Sequence, residues 1–180
     1  MKWRTFILAL LAISFGASLF AEPTPANGGG TFGNVTLESI EGTGLVKLNS
    51  TLVENDVHVI GSVIAQSGEI GSFDVIGEIN LTGTTVKKGG QLIGSIQTVR
   101  STIEKPITIL SNKAVFTTTK LSGITVKQDR SYKGKQIIEL RLGTLVDGPI
   151  HFESGKGEVL IYQNSQVLGP ITGGKAIKKN

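Results

Sequence analysis

Apolar and polar residues alternate along most of the chain from about Asn34 onward, and many of the apolar ones are β-branched. The clearest stretches are 57–60, 135–142 and 158–162, in which apolar residues recur at a period near two. Almost no stretch carries the 3.6-residue period, built from helix-forming residues, that an amphipathic helix needs. The pattern therefore predicts an all-β chain made of short strands.

A longer pattern lies on top of this alternation: two apolar residues, a glycine, a variable residue and a further β-branched residue. It is clearest around Gly61, Gly77 and Gly94, which are 16 and 17 residues apart. A weaker copy around Gly44 precedes them, and related sites follow at wider spacings: Gly123, Gly148 and Gly169. A repeat of this length is too short for a propeller blade and fits one coil of a β-solenoid.

These patterns predict a single-stranded β-solenoid over residues 34–172, with six or seven coils that become irregular towards the C-terminal end. Each coil would bury its apolar residues against the next coil, and the glycines would turn the chain where a Cβ atom would clash. An antiparallel β-sandwich is the alternative, because short strands with glycine turns predict it as well and the spacing after Gly94 is irregular.

The N-terminal residues have the features of an export signal. Lys2 and Arg4 precede an apolar run over 6–15, and Ala21 is a suitable residue before a cleavage site. We therefore predict a signal peptide at 1–21 and a periplasmic or secreted protein with no transmembrane segment in its mature form; an uncleaved N-terminal anchor is the alternative. Composition further predicts a flexible leader over 22–33 and a flexible basic tail over 173–180.

The repeat unit around the three regularly spaced glycines, Val/Leu-Ile-Gly-x-Val/Ile, resembles that of the bactofilins, a family of bacterial β-helical proteins. The likeness covers about residues 44–96. The resemblance implies β-helices that stack end to end into filaments without a nucleotide. It also implies a scaffolding role, which in that family is mostly at the cytoplasmic face of the membrane.

A shorter fragment suggests a second resemblance. Ile64, Ile70 and Ile76 are six residues apart, as in the left-handed β-helix of hexapeptide acyltransferases. That resemblance would imply a histidine base and an acyl carrier substrate, which an exported protein would not meet.

Charge is unevenly distributed along the chain, whose formal net charge is +4. Residues 22–84 contain eight acidic residues and one lysine, whereas residues 85–142 contain eleven basic and three acidic residues. Because sequence order becomes position along the axis of a solenoid, one half of the rod would be negative and the other positive. This polarity favours head-to-tail self-association into a homo-oligomer.

The basic half suggests a second use, which is to bind an anionic envelope polymer or lipid headgroups. Its densest cluster consists of Lys87, Lys88, Lys127, Arg130, Lys133 and Lys135. The same charges would equally suit a solvated surface that keeps strand edges from pairing. We expect no nucleic acid partner, because the protein is predicted to be exported and this stretch has only Tyr132 to stack on a base.

Residue types that carry chemistry are scarce. Cysteine is absent, which excludes disulfides, thiolate metal sites, a cysteine nucleophile and a lipid-modified cysteine. His58 and His151 are the only histidines, and neither has another histidine, or a cysteine, at the spacing of a metal site. We therefore predict no metal, no cofactor and no catalytic residue.

Two segments need a separate comment. Ser154-Gly155-Lys156-Gly157 lacks the first glycine and the final hydroxyl residue of a phosphate-binding loop, so it is predicted to be a turn. Glu153 and Glu158, or Asp147 with a partner on the next coil, could flank a polysaccharide in a lateral groove, as the carboxylates of glycosidases do. Nothing else in the sequence singles these carboxylates out.

The sequence thus favours an exported, non-enzymatic structural or interaction protein of the bacterial cell envelope that self-associates end to end. Two alternatives remain. One is a binding module for anionic envelope polysaccharide or lipid headgroups, and the other is a polysaccharide-active β-helix enzyme.

Overall fold

The computed structural model describes residues 24–26 and 29–179. In these residues all regular secondary structure is β-strand. All strand pairings are parallel, and successive strands wind into a β-solenoid. The prediction of an all-β solenoid is confirmed, and the antiparallel sandwich is wrong. Within the described residues there is no helix long and apolar enough to cross a membrane.

The first ten strands are β1 (Thr24–Ala26), β2 (Gly30–Gly33), β3 (Thr36–Leu37), β4 (Ile40–Asn49), β5 (Leu52–Gln66), β6 (Glu69–Thr82), β7 (Thr85–Val86), β8 (Gly90–Val99), β9 (Thr102–Ile103) and β10 (Ile107–Leu110). The last ten are β11 (Lys113–Thr117), β12 (Lys120–Leu121), β13 (Ile124–Val126), β14 (Ile137–Arg141), β15 (Leu145–Val146), β16 (Ile150–Phe152), β17 (Gly157–Tyr162), β18 (Gln166–Val167), β19 (Ile171–Thr172) and β20 (Gly174–Lys179).

Each coil passes through three parallel faces, and the longer strands β4, β5, β6 and β8 run continuously around a corner. Face 1 consists of nine rungs, 24–26, 40–43, 57–60, 73–76, 90–93, 107–110, 124–126, 150–152 and 171–172. Face 2 follows it in every coil, from 30–33 to 174–179. Face 3 contains the short strands, from 36–37 to 166–167.

The solenoid is longer than the sequence predicts. Gly30–Gly33 pairs with 46–49, and Gly174–Lys179 pairs with β17, so paired strands occupy part of the segment predicted as a flexible leader and most of the segment predicted as a flexible tail. Their glycine-rich and polar composition does not prevent pairing, because the adjacent coil offers a complete row of backbone partners. The result is nine coils instead of six or seven, and a rod about 40 Å long. The predicted signal peptide at 1–21 lies outside the described residues.

The core is a continuous column of apolar side chains that runs along the axis between the three faces. Its layers are matched in size. Phe73 is buried under Gly90, where a Cβ atom would lie 2.6 Å from the Phe73 ring, and Phe152 fills the space beside Gly157 in the same way. Large aromatic residues are thus accommodated because the position stacked beside each one is a glycine.

Glycines line the first corner, between faces 1 and 2. Gly61, Gly77 and Gly94 have φ values of 142°, 140° and 139°, and they stack in register. A Cβ atom on Gly77 would lie 1.9 Å from the carbonyl oxygen of Gly61. Only glycine allows consecutive coils to approach this closely, so the repeat that the sequence displays is a backbone requirement.

The second corner, between faces 2 and 3, combines a left-handed residue with a buried hydroxyl. In most coils the residue with positive φ is followed, directly or after one residue, by an inward hydroxyl: Thr51, Thr84, Ser101, Thr119, Thr144 and Ser165. Most of these hydroxyls donate to backbone carbonyls, and Thr84 Oγ1 lies 3.2 Å from the carbonyl oxygens of Ala65 and Thr82. Ser101 Oγ and Ser165 Oγ accept hydrogen bonds from the N–H groups of Thr84 and Thr144 in the adjacent coil. The two-residue alternation and the glycine repeat do not predict this hydroxyl ladder.

The two apolar residues of the repeat unit point in opposite directions. Val59 is fully buried, whereas Ile60 is 51% exposed on the outer surface of face 1. The six-residue spacing also fails to mark one inward column, since Ile70 is buried in face 3 and Ile76 is 44% exposed on face 1. The resemblance to hexapeptide repeats therefore has no counterpart in the packing.

Candidate functional site

The six candidate anion-binding residues lie at two different corners. Lys87 and Lys88 follow β7 at the third corner, between faces 3 and 1. Lys87 Nζ is 2.8 Å from Glu104 Oε1 and 3.5 Å from Glu69 Oε2, and its pKa is raised mainly by the hydrogen bond to Glu104. Lys88 Nζ donates to the Glu54 carbonyl and to Asn55 Oδ1 at 3.3 and 3.2 Å. Lys87 therefore links its coil to both neighbouring coils, and Lys88 reaches past the adjacent coil to the one beyond it.

The other four, Lys127, Arg130, Lys133 and Lys135, belong to the loop 127–136, which replaces the tight first corner between β13 and β14. Lys127 Nζ is 2.6 Å from Glu153 Oε1, and Lys135 Nζ is 2.7 Å from Glu158 Oε1. Arg130 and Lys133 make no ion pair within the described part of the chain. Among the described residues Lys88 makes none either, but its ammonium group already bonds to two neutral oxygens, so Arg130 and Lys133 are the members of the set whose charged groups are most available to a ligand.

A pocket of ≈ 290 Å³ lies under this loop, and Arg130, Lys133 and Lys156 contribute three cations to its lining. Gln136 also lines it, with a side chain only 2% exposed. Its Nε2 donates to the carbonyl oxygens of Ser111 and Lys127 at 3.2 and 2.7 Å. Its Oε1 has no partner among the described residues, so this buried acceptor is suited to a donor from outside, such as a hydroxyl or water.

A second pocket, of ≈ 440 Å³, shares Lys156 with the first. Lys135, Lys156 and Lys175 line it from three successive coils, together with Glu158 and four glycines. Since coils are about 4.8 Å apart, the arrangement suits a linear ligand with repeated negative groups. Among the residues that line the two pockets, which also include the acidic Asp129 and Glu158, we define six as the basic corner: Arg130, Lys133, Lys135, Gln136, Lys156 and Lys175.

Lys156 and Lys175 are not among the six anion-binding candidates predicted from the sequence. Each follows a corner glycine, in Ser154-Gly155-Lys156-Gly157 and Thr172-Gly173-Gly174-Lys175, so the recurrence of Gly-Lys was the available signal. The first of these segments is a turn that leads into β17, which confirms the prediction made for it. The positive φ values of Gly155 and Gly173, 68° and 66°, shape both corners.

The carboxylates considered for polysaccharide chemistry are all ion-paired. Lys127 lowers the pKa of Glu153, and Lys135, with a smaller contribution from Lys175, lowers that of Glu158. Asp147 lies 3.2 Å from Lys120 Nζ. A general acid needs a raised pKa, so these contacts favour the opposite protonation state at Glu153 and Glu158.

The two histidines lie in one outward column of face 1. His58 Nδ1 is 3.2 Å from Asp74 Oδ2, and His151 Nδ1 is 2.7 Å from Thr172 Oγ1. No group of three His, Cys, Asp or Glu side chains that could hold a metal ion occurs in the part of the chain that the structure describes. Each histidine therefore makes a local contact with the adjacent coil.

A scan against protein-family models gives no match, and searches of the curated proteins and of the solved structures give none either. The structure therefore establishes the architecture, which is a parallel β-solenoid of about nine coils.

Proposed function

We propose that this protein is a non-enzymatic structural rod of the bacterial cell envelope that self-associates end to end. The observation that carries the proposal is the open edge of the last coil. Strand β20 pairs with β17 on one side and has no strand partner on its other side within the described residues. An unpaired parallel edge is a template for another strand.

The side chains of the last coil give this open edge a positive charge. Lys178 stands in register with Ile161, in a column that points inward in the preceding coils, and Lys179 stands beside it. Two such ends would place like charges against each other. An end that carries lysines instead complements a coil that carries acidic residues, such as Glu38 and Glu41 near the first coils. Head-to-tail stacking is therefore favoured over stacking of like ends.

The predicted signal peptide supports the envelope location, and the bactofilin-like repeat unit supports a scaffolding role. Bactofilins are described above as β-helices that stack end to end, and this chain has the coil architecture that such stacking requires. Membership in that family, the location and the assembly all belong to the proposal.

Sedimentation velocity on residues 22–180, over a concentration series at low and high salt, tests this proposal. We expect elongated species that grow with concentration and shrink at high salt, because screening weakens attraction between charged ends. Lys178→Glu with Lys179→Glu should abolish growth. Lys133→Glu with Lys156→Glu changes the net charge equally at a different place and should leave it intact. A monomer in all conditions would contradict the proposal.

The basic corner supports a second candidate function, the binding of an anionic envelope polymer. Its specific support is the unpartnered Oε1 of Gln136 beside the cations of Lys133 and Lys156. Retention on immobilised heparin, a convenient polyanion, should fall sharply in Lys133→Gln with Lys156→Gln. Arg100→Gln with Lys105→Gln removes the same charge elsewhere and should change retention little. Equal losses in both variants would indicate unspecific attraction only.

A further inference from the structure

The outward surface of face 1 carries an apolar stripe. Ile60, Ile76 and Ile93 stand in register on three successive coils, and they are 51%, 44% and 50% exposed. Leu110, partly exposed, continues the same column on the next coil. We call these four residues the isoleucine stripe. Exposed β-branched residues stacked without interruption differ from the scattered apolar residues of an ordinary surface.

The surroundings of the stripe leave it accessible. On one side lie the glycines of the first corner, which have no side chains, so a shallow open groove runs beside Ile93 and Leu110. On the other side a polar column contains His58, Asp74 and Gln91. The stripe therefore stands above the glycine groove, where another flat surface can contact it.

The stripe coincides with the reversal of charge along the rod. Acidic residues dominate up to residue 84 and basic residues from 85, and this boundary falls between the coils of Ile76 and Ile93. Two copies packed parallel would set acidic half against acidic half. Two copies packed antiparallel would set each acidic half against a basic half, at separations near the Debye length of about 8 Å, where the attraction is still appreciable.

We infer that two copies of this chain pair side by side and antiparallel through the isoleucine stripe. The two-fold axis passes between the coils of Ile76 and Ile93. Ile76 of one copy then faces Ile93 of the other, and Ile60 faces Leu110. Glu78, which borders the groove, faces Ser95 of the other copy instead of a second Glu78. The same surface thus meets itself without opposing like charges, as a closed two-fold interface requires.

The size of the contact sets its strength. Four coils extend about 19 Å along the axis, and the strand on this face is about 13 Å long. This patch is well below the roughly 800 Å² per partner of a stable interface, so the pair is weak and forms only at high protein concentrations. The pairing uses a lateral face and does not rest on the end-to-end stacking proposed above.

Sedimentation equilibrium on the full mature chain separates the two contacts. In the Lys178→Glu, Lys179→Glu background, which removes end-to-end attraction, we expect a monomer–dimer equilibrium. Ile76→Lys in that background should raise the dimer dissociation constant at least tenfold. Val99→Lys, which adds a lysine to the neighbouring strand β8 but on face 2, should leave it unchanged. A monomer in the background protein, or equal effects of the two lysines, would overturn the inference.

Disulfide trapping tests the antiparallel arrangement, because the chain has no native cysteine. A mixture of Ile76→Cys and Ile93→Cys should form a crosslinked heterodimer under mild oxidation. Ile60→Cys alone should not crosslink, since its counterpart lies three coils, about 14 Å, along the axis, and a disulfide needs Cα atoms within about 7 Å. Efficient crosslinking of Ile60→Cys to itself would show parallel pairing and overturn the inference.

Discussion

At least one residue adopts a left-handed conformation at each second corner of the described coils. Those with φ between 40° and 58° are Asn34, Ser50, Ser67, Gly83, Arg100, Thr118, Leu142 and, at the last of these corners, both Gln163 and Asn164. For residues other than glycine this conformation costs about 1–2 kcal/mol each. The cost is offset by a backbone bond to the next coil, as in the 2.8 Å bond from the Ser50 N–H to the Gln66 carbonyl. The residue with positive φ varies in type from coil to coil, so this position by itself gives no motif in the sequence.

The hydroxyl that follows this corner has a testable energetic role. Thr84 is 1% exposed, and its hydroxyl shares its single hydrogen between two carbonyl oxygens, each 3.2 Å from Oγ1. Thr84→Val keeps the volume but leaves buried carbonyls with fewer donors, so we expect a loss of about 1–2 kcal/mol in the free energy of unfolding. Thr84→Ser keeps the hydroxyl and should lose less. Urea denaturation measures the free energy of unfolding of both variants. If Thr84→Val is as stable as the unmodified protein, the hydroxyl contributes by filling space and not by hydrogen bonding.

Glycine is required at the first corner because of its positive φ and because a Cβ atom has no room there. We compare Gly77 with Gly143, which has a positive φ and free space. Gly77 has a positive φ and no room for a Cβ atom, whereas Gly143 has a φ of 73° and nothing within 4 Å. Gly143→Ala should therefore cost only the conformational strain, about 1–2 kcal/mol. Gly77→Ala adds a clash with the Gly61 carbonyl and should cost about 3–5 kcal/mol or prevent folding. Similar losses at both positions, measured by urea denaturation, would contradict the steric argument.

Strand β14 carries a buried charge on its outward side. The side chain of Glu139 is 7% exposed between Val115 and Leu160 of the adjacent coils. Lys113 Nζ lies 2.7 Å from its Oε1, and Arg141 contacts its other oxygen. Burial acts to raise the pKa of this carboxyl, but the hydrogen bonds from Lys113 and Arg141 outweigh it and lower the pKa. The strand is thus held to its neighbours by an ion pair network as well as by backbone bonds.

Glu139→Gln should therefore destabilise the fold in a pH-dependent way. The folded state holds the ionised carboxylate more tightly than the unfolded state, so the stabilisation is present above the ordinary pKa of 4.5 and is lost as the pH falls through the lowered one. At pH 7 we expect a loss of about 1–2 kcal/mol, which shrinks in acid. Glu104→Gln breaks an exposed pair, with a glutamate side chain 43% exposed, and should cost under about 1 kcal/mol. A loss that does not vary with pH would contradict the ion-pair explanation.

At the scale of the whole rod, the sequence predicts the repeating coil. It does not predict the terminal coils or all of the basic corner. The 16- to 17-residue spacing is visible because the glycines of the first corner, such as Gly61 and Gly77, have no substitute. The terminal coils are missed because pairing there depends on the neighbouring coil and not on local composition. The basic corner is missed in part because Lys156 and Lys175 come together only when coils of 21 and 26 residues stack in register.

The modular construction of the rod allows one coil to be removed. Ile107 pairs with Ile124, 17 residues later, so deleting residues 107–123 brings Ile124 onto the rung above Gly90 with every following residue in its original face. Each coil contacts mainly its neighbours, so the shortened chain should keep its far-UV circular dichroism per residue and become shorter by about 4.8 Å in small-angle scattering. Deleting residues 107–115 removes about half a coil and moves inward residues to the wrong face, so that chain should not fold. If both deletions unfold the protein, its stability does not come from independent layers, and the coils form a single cooperative body.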